Sequence, residues 1–309
     1  MKAWRLNDYG DAGTFVLDDV PIPEPGPTEV LIRVAAASIN PLDLKLASGV
    51  MKQVFPLQFP YTGGTDVAGT IEHVGSQVTN WQADERVIVR ALPTKGGAFA
   101  EYVVAAAANV ARIPQSLPFL QASGLPTAAG TAWQALFDEA HLAHGQSVLV
   151  HAGGGGVGSF AIQFAKAVGA KVIATTSADG VDLARRLGAS EVIDYRATDF
   201  RSKASNVDVV LDTIGGDTQV RSFDVLRHGG VLVSLISPPE TARAAELGVR
   251  ALRMAHQSIA SRLETIASLC SEGRVKVVLD SSFSFNRLPE ALTRVASGHA
   301  KGKVAIAMY

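Results

Sequence analysis

The sequence of 309 residues predicts an α/β chain in which a doubly wound parallel sheet follows a β-rich region. From residue 147 onward, short apolar strands alternate with amphipathic helices. Each parallel connection needs a crossover, so this alternation indicates a parallel sheet with helices on both faces. The first third instead has short β-branched or alternating runs between Pro- and Gly-rich turns, which is typical of a barrel-like β domain. With 47% hydrophobic and 18% charged residues, the chain is expected to fold as one or two domains.

The predicted elements follow in chain order. Strands of the first third are predicted at 2–6, 15–20, 29–38, 67–74, 86–91 and 99–104. An Ala-rich stretch from Ser116 predicts helix, and it precedes strands at 147–151, 171–176, 191–193, 207–211 and 231–236, with helices beginning near Gly156, Gly180 and Thr218. The last part predicts a polar connector (238–248), an edge segment (249–256), a helix around 262–269, a strand (276–280), a helix (288–298) and a strand (303–308).

Composition excludes several functional classes. The 28 Lys and Arg nearly balance the 29 Asp and Glu, so the net charge of −1 gives no basic footprint for nucleic acid or anionic membrane. The single Cys270 excludes a disulfide framework, an iron-sulfur cluster and a zinc site built from several thiolates. The first ten residues lack an apolar signal region, and no run approaches the roughly 18 apolar residues of a spanning helix. We therefore predict a cytoplasmic protein with small-molecule substrates.

Glycines cluster where the strand at 147–151 meets the next helix. Gly153, Gly155 and Gly158 have the spacing G-x-G-x-x-G. The first glycine permits the tight turn, the second lets the backbone approach a pyrophosphate, and the third lets the helix pack on the strand. A flexible turn is the alternative, but the strand before, the helix after and the second strand at 171–176 favour a dinucleotide site. The predicted contacts are Gly153, Gly154, Gly155, Gly156, Val157 and Gly158.

The end of the second strand bears on the choice of nicotinamide cofactor. An acidic residue there would bind a ribose 2′-hydroxyl and repel a 2′-phosphate. The strand ends in Thr175, Thr176 and Ser177, so we predict NADPH, with Thr176 and Ser177 in the site and Ser177 as a donor to the phosphate. Asp179 is two residues further along and supports NADH as the alternative.

Seven segments carry a resemblance to a known family. They are INPLDLKLASG (39–49), FPYTGGTDVAGTIEHVG (59–75), SGLPTAAGTAWQAL (123–136), VLVHAGGGGVG (148–158), LGASEVIDYR (187–196), VLDTIGG (210–216) and GHAKGKVAI (298–306). In this order they resemble the zinc-free quinone oxidoreductase branch of the medium-chain dehydrogenase/reductase superfamily, related to zeta-crystallin. The resemblance implies a GroES-like catalytic domain (1–118 and 257–309), an inserted Rossmann domain that binds NADP(H) (119–256), and an active site in the cleft.

The resemblance also implies chemistry without zinc. Asn40 and Thr65 stand where zinc-dependent relatives have a Cys and a His ligand, and the structural zinc lobe is missing. Catalytic zinc needs at least three protein ligands, and the seven histidines show no ligand spacing, so we predict no metal. Reduction of a quinone or an α,β-unsaturated carbonyl needs only hydride transfer and hydrogen-bond donors for the developing oxyanion.

Three catalytic candidates come from the same resemblance. Lys45, in the form N-P-x-D-x-K of an enone and alkenal reductase subgroup, is expected to donate to ribose or to a carbonyl; a solvated helix residue is the alternative. Asn40 aligns with the lost metal ligand, although an Asn-Pro turn explains it equally. Thr131 matches a threonine near the nicotinamide, or it bonds its own backbone.

Other positions are expected to contact the cofactor. Tyr195 matches a tyrosine at the adenosine phosphate end, and Gly302 and Lys303 match a C-terminal cofactor segment. Gly215 would let the backbone approach the cofactor, whereas Asp212 before it and Cys270 are expected to be structural. Many relatives have a lysine after the serine of the second strand, and this sequence lacks it.

Two further interpretations remain open from the sequence. The chain could be an enoyl-thioester reductase of the polyketide type, or a cofactor-binding regulatory or structural protein with little turnover. The segment 249–256 predicts a homodimer formed by pairing of sheet edges.

Overall fold

The computed structural model describes residues 1–308. The strands are β1 Lys2–Leu6, β2 Val16–Asp19, β3 Glu29–Ile39, β4 Tyr61–Thr62, β5 Asp66–Val74, β6 Arg86–Arg90, β7 Tyr102–Ala106, β8 Ala111–Arg112, β9 Ser147–Val150, β10 Lys171–Thr176, β11 Glu191–Asp194, β12 Val207–Asp212, β13 Leu226–Ser234, β14 Arg250–Arg253, β15 Leu279–Ser284 and β16 Lys303–Ala307. The helices are α1 Pro41–Ala47, α2 Phe119–Ala122, α3 Gly130–Trp133, α4 Gly156–Ala167, α5 Val181–Leu187, α6 Gly216–Ser222, α7 Thr241–Glu246, α8 Ala260–Ser271 and α9 Leu288–Ala296. Leu125–Ala129 and Gln134–Glu139 form π-helical turns.

The chain divides into two compact units. Met1–Gly130 and Ser258–Tyr309 form the terminal unit, and Thr131–Gln257 form the central unit. The sequence places the first boundary after residue 118, whereas the structure places it after Gly130. The reason is packing: α2 lies against β3, β5 and β16, and the π-helical turn that follows lies against β5, β6 and α8, all in the terminal unit.

The terminal unit is built around one long strand. The eleven residues of β3 are mostly buried and pair antiparallel with β5, β7 and β16. A seven-stranded sheet results, in the order β15-β16-β3-β5-β6-β8 with β7 also on β3, beside a three-stranded sheet β2-β1-β4. Because Val304 lies opposite Ile39, the C-terminal strand completes a sheet begun by the first third of the chain.

The central unit is a doubly wound parallel sheet, as the sequence predicts. Its six strands run in the order β11-β10-β9-β12-β13-β14, which is 3-2-1-4-5-6 within the unit. The middle strand β9 contributes Val148, Leu149 and Val150, all fully buried because strands flank it and helices cover it. The predicted α/β fold class is confirmed.

Four predicted elements differ clearly from the structure, and two of them are the strands predicted at 99–104 and 231–236, which cover Tyr102–Ala106 and Leu226–Ser234. The polar connector at 238–248 contains α7, in which Ala244 is the one buried residue, so no apolar period marks the helix. The predicted strand at 276–280 instead covers Leu279–Ser284, because its polar residues pair in parallel with β16 from Lys303 to Ala307. None of the helices within residues 1–308 combines the length and apolarity needed to cross a membrane.

Candidate active site

In the glycine loop between β9 and α4, the space available for a side chain differs from one glycine to the next. A Cβ on Gly158 would lie 2.2 Å from the carbonyl oxygen of Ala152 and 2.8 Å from the Cα of Gly153, so the helix start packs directly on the loop. A Cβ on Gly153 would lie 2.9 Å from the Cβ of Ala174. At Gly155 a Cβ would meet only the Ala152 oxygen, at 3.3 Å, and otherwise open space.

Gly155 caps α4, which begins at Gly156 and runs for twelve residues. The first N–H groups of a helix have no acceptor within it, and the helix dipole favours an anion at that end. The open side of Gly155 and these N–H groups therefore form a surface that fits a pyrophosphate.

At the end of β10, Ser177 lies beside Asp179, the acidic residue that supports NADH as the alternative cofactor. Ser177 Oγ donates to Asp179 Oδ1 at 2.5 Å, and Ser177 is buried. Thr176 is also buried, and its carbonyl oxygen accepts from the N–H of Tyr195 at 3.1 Å. The hydroxyl predicted to bind a 2′-phosphate is thus held here by a carboxylate.

A cation lies beside the same strand end. Tyr195 is 55% exposed, and the guanidinium of Arg196 lies 5.7 Å from the centre of its ring. Arg196 is a candidate site residue that the sequence reasoning does not single out. The available signal is its place directly after Tyr195, following the strand that pairs with β10, since an Arg near this edge can accommodate a 2′-phosphate.

Asp212 organises the neighbouring loop. Its Oδ1 accepts from the N–H groups of Ile214 at 2.9 Å and Gly215 at 2.8 Å, while Oδ2 accepts from Gln219 Nε2 at 3.0 Å and Ser234 Oγ at 2.8 Å. Gly215 has φ +77°, a conformation that glycine adopts without strain. These bonds agree with the structural role predicted for Asp212, which holds the Gly215 backbone at the carboxyl end of β12.

His151, between β9 and the glycine loop, is buried and neutral. Ser222 Oγ donates to the carbonyl oxygen of Thr218 at 2.6 Å, so it accepts from His151 Nε2, 2.9 Å away. Nδ1 then accepts from Thr175 Oγ1 at 3.0 Å. Burial lowers the pKa of His151 from 6.5 to about 4, so the imidazole ties α6 to β9 and β10 as an uncharged group.

Thr131 is buried in the central unit. Its Oγ1 lies 3.0 Å from Nδ1 of His256. The contact is with a side chain 125 residues away, whereas the alternative from the sequence was a bond to its own helix backbone. A role for Thr131 beside the nicotinamide stays a prediction.

In the terminal unit, Asn40 belongs to a buried polar network, which we call the Lys303 network. Its members are Asn40, Asp43, Thr65, Asp66 and Lys303, each at most 4% exposed. Asp43 Oδ2 accepts from the backbone N–H of Asn40 at 2.7 Å, which caps α1, and Asp43 Oδ1 accepts from Thr65 Oγ1 at 3.0 Å. Asn40 Nδ2 donates to Asp66 Oδ2 at 2.9 Å and lies 3.4 Å from Thr65 Oγ1.

The ammonium of Lys303 completes this network. It donates to Asn40 Oδ1 at 2.5 Å and to the carbonyl oxygen of Ile39 at 3.0 Å, and it lies 3.6 Å from Asp66 Oδ2. Burial lowers the pKa of Lys303, although the charges of Asp66 and Asp43 act in the opposite direction. Burial raises the pKa of Asp43 to about 7.

The structure does not bring the predicted catalytic residues Asn40 and Lys45 together. Asn40 is buried, whereas Lys45 is exposed on α1 and lines a separate pocket of about 440 Å³ with Asp11, Leu44 and Thr293 among others. The amide of Asn40 is fully engaged by Lys303, Asp66 and Thr65. Donation from Asn40 to a substrate, and donation from Lys45, remain predictions.

Gly302 and Lys303, predicted to contact the cofactor, have clear roles within the terminal unit. Gly302 has φ +91°, and a Cβ there would lie 2.3 Å from the carbonyl oxygen of Val278. The side chain of Lys303 is committed to the buried network. Any cofactor contact from Gly302 or Lys303 would therefore come from the backbone. Burial also raises the pKa of Cys270 to about 12, which fits the inert thiol expected there.

Comparison with known proteins agrees with this architecture. Residues 26–115 match the family model of the alcohol dehydrogenase GroES-like domain, and residues 187–306 match that of zinc-binding dehydrogenase. The sequence is 36% identical to 2-methylene-furan-3-one reductase of Solanum lycopersicum, over 99% of this chain and 79% of that protein. It is 33% identical to the mitochondrial NAD(P)H oxidoreductase RTN4IP1 of Mus musculus, over 99% of this chain and 89% of that protein.

Among solved structures, the quinone oxidoreductase from Coxiella burnetii superimposes with a TM-score of 0.94 and 33% identity, covering 100% of this chain and 99% of that one. The fold and the glycine loop define a nicotinamide-dependent oxidoreductase. The chain belongs to the medium-chain dehydrogenase/reductase superfamily, in its quinone oxidoreductase branch, which confirms the family resemblance.

Proposed function

We propose that this protein uses NADPH to reduce quinones or α,β-unsaturated carbonyl compounds without a metal ion. The observation that carries the proposal is the glycine loop, where Gly153 and Gly158 are closed by packing and Gly155 is open to a pyrophosphate. Relatives described as quinone oxidoreductase and as 2-methylene-furan-3-one reductase support the two substrate classes.

The chain's residues would bind and orient the reactants. A bound nicotinamide supplies hydride to an electrophilic carbon of the substrate. The N–H groups at the start of α4 would hold the pyrophosphate, and Asp212 keeps the Gly215 backbone in place at the carboxyl end of β12. Thr131 and Lys45 are the proposed donors to the cofactor or to the oxygen on which negative charge develops.

Selection of NADPH depends on a balance of charges at the end of β10. Arg196 attracts a 2′-phosphate, Ser177 can donate to it, and Asp179 repels it. We propose that NADPH is used in preference to NADH and that Asp179 limits the preference, because its carboxylate holds the Ser177 hydroxyl.

The test is cofactor oxidation with a substrate panel containing a para-quinone, an enone, an alkenal, an enoyl thioester and a simple alcohol. We expect NADPH oxidation with the quinone or the enone and none with the alcohol. Alcohol-dependent reduction of the oxidised cofactor, without quinone or enone turnover, would contradict the proposal. Turnover of the thioester alone would assign an enoyl-thioester reductase, and tight binding without any turnover would assign a regulatory or structural protein.

We also propose a homodimer. In the central unit β14 is one of the two edge strands and pairs only with β13, so its outer side offers backbone groups to a second copy of the chain. Light scattering is expected to give twice the chain mass of 32.4 kDa, whereas a monomer at micromolar concentration would contradict this proposal. The predicted cytoplasmic location stays a prediction, since the mouse relative is described as mitochondrial.

A further inference from the structure

The family model that matches residues 187–306 is described as zinc-binding, so the fit of a metal ion to this chain can be tested on the Lys303 network. Asn40 and Thr65, at the positions where zinc-dependent relatives are expected to have Cys and His, do lie side by side, with 3.4 Å between Nδ2 and Oγ1. An ammonium lies against the same group. Within residues 1–308, no three His, Cys, Asp or Glu side chains are close enough together to hold a metal. The residues present do not fit zinc.

We propose that the ammonium of Lys303 is a built-in cation that takes the electrostatic place of a metal ion and excludes divalent cations from this site. The inference goes beyond the proposed reaction and does not depend on which substrate is reduced. It makes Lys303 a positioning residue, since the ammonium acts on Asn40 and Asp66 rather than on a reacting atom.

The first argument is the contact geometry. Lys303 Nζ lies 2.5 Å from Asn40 Oδ1 and 3.6 Å from Asp66 Oδ2, and Asn40 Nδ2 lies 2.9 Å from the same Asp66 oxygen. A lysine ammonium donates and never accepts, so the amide oxygen of Asn40 must face it. The amide nitrogen is then turned toward Asp66 and Thr65. Lys303 therefore sets the orientation of Asn40.

The second argument is charge balance. Two acidic side chains, Asp43 and Asp66, are buried here together with the ammonium of Lys303, and the half-buried guanidinium of Arg90 interacts electrostatically with both of them. Arg90 Nε donates to Thr127 Oγ1 at 3.0 Å, and that hydroxyl donates to Asp66 Oδ1 at 2.6 Å. A buried charge is tolerated only when it is paired, and Asp66 is already paired with Lys303. A divalent ion beside Lys303 would bring like charges together where the effective dielectric constant is low.

The third argument is the chain distance spanned by the contact. Lys303 on β16 and Asn40 at the start of α1 are 263 residues apart, and Lys303 also donates to the carbonyl oxygen of Ile39 at the end of β3. A cation delivered by the last strand thus holds the segment that begins α1. An ordinary structural ion pair would share this property, so the test must read out more than stability.

The experiment introduces Cys and His, the zinc-ligand types, at positions 40 and 65 and then removes the ammonium of Lys303. All variants carry Cys270→Ser, so that the thiol of Cys270 does not bind metal. The double substitution Asn40→Cys with Thr65→His, which we call the ligand-restored variant, is prepared with Lys303 retained, with Lys303→Met and with Lys303→Gln. Lys171→Met, at the exposed first residue of β10, is the matched control for loss of one lysine. The probe is Co²⁺, followed by its visible absorption and by competition with a chelator.

We expect the ligand-restored variants without Lys303 to bind Co²⁺ roughly 100-fold or more tightly than the one that retains it, because a like charge has been removed from the site. The Lys171→Met control is expected to change the affinity by less than about 3-fold. Equal Co²⁺ affinity with and without Lys303 would overturn the proposal, and so would tight binding while Lys303 is present. A purely structural lysine would lower stability on removal but would not raise metal affinity.

If the variants without Lys303 do not fold alone, they are refolded with and without Co²⁺. Recovery of native circular dichroism by Co²⁺ in the ligand-restored variant with Lys303→Met, and none in Lys303→Met alone, supports the proposal. Failure of Co²⁺ to restore the fold in both proteins overturns it.

Discussion

Substitution of Gly155 by alanine should separate cofactor binding from folding. Gly155 has φ −82° and ψ 179°, which alanine adopts without strain, and the only atom near the new Cβ would be the Ala152 oxygen at 3.3 Å. A glycine-to-alanine change at a compatible position also restricts the unfolded chain, which stabilises by about 0.4–1 kcal/mol. We therefore expect the free energy of unfolding to change by less than about 1 kcal/mol.

The added methyl group points into the space where a pyrophosphate would approach α4. We expect NADPH to bind about 10- to 100-fold more weakly, a loss of about 1.4–2.7 kcal/mol. Fluorescence titration with NADPH and thermal unfolding of the same preparation measure the two effects. Wild-type affinity in a folded Gly155→Ala protein would refute the assignment of this loop.

Gly158→Ala is the matched comparison. Its Cβ would lie 2.2 Å from the Ala152 oxygen and 2.8 Å from the Cα of Gly153, and both are backbone atoms that cannot turn aside. Overpacking of this kind costs about 1–3 kcal/mol of stability or more. Unchanged stability of Gly158→Ala would show that the helix start is not packed as described.

Two further predictions concern titration and cofactor choice. The pKa of His151 is about 4 in the folded protein and 6.5 ordinarily, so its contribution to the free energy of unfolding is complete above pH 6.5 and is lost as the pH falls through 4, by about 3 kcal/mol in all. Urea unfolding across this range should show a free energy of unfolding that falls less steeply with decreasing pH for His151→Gln than for the wild type. An unchanged slope would contradict the buried neutral imidazole. Asp179→Asn should raise the ratio of kcat/KM for NADPH over that for NADH about 10-fold or more, because repulsion of the 2′-phosphate is removed. Asp182→Asn, at an exposed position on α5, is the control. An unchanged ratio in Asp179→Asn would show that Asp179 does not limit the preference for NADPH.

The sequence predicted best those helices and strands whose bounds depend on residues that are neighbours in the chain. Bounds of β1 and β10 agree residue for residue with the sequence prediction, and α4 begins at Gly156, because apolar runs and turn residues are consecutive there. The strand β15 was displaced by three residues, since its polar sequence pairs only because β16 lies beside it.

In the candidate site, too, residues adjacent in the chain were predicted together, whereas contacts between distant residues were not. Residues of the glycine loop are adjacent in the chain, so their spacing, with the strand before and the helix after, is enough to predict them as a dinucleotide site. Asn40 and Lys303 were singled out separately, one as a catalytic candidate and one as a cofactor contact, and nothing in either motif indicates that they bond to each other. Arg196 was passed over because its relevance comes from the pairing of β11 with β10.

Residue types at short, regular spacing were enough to predict the doubly wound sheet and the glycine loop, and seven segments carried the resemblance that predicts the superfamily. Three features required the folded chain: Ser177 donates to Asp179, Asn40 is closed inside a buried network, and a lysine from the last strand supplies the positive charge of that network. These features depend on which distant segments meet, because a hydrogen bond or an ion pair exists only where folding brings its two partners within about 4 Å.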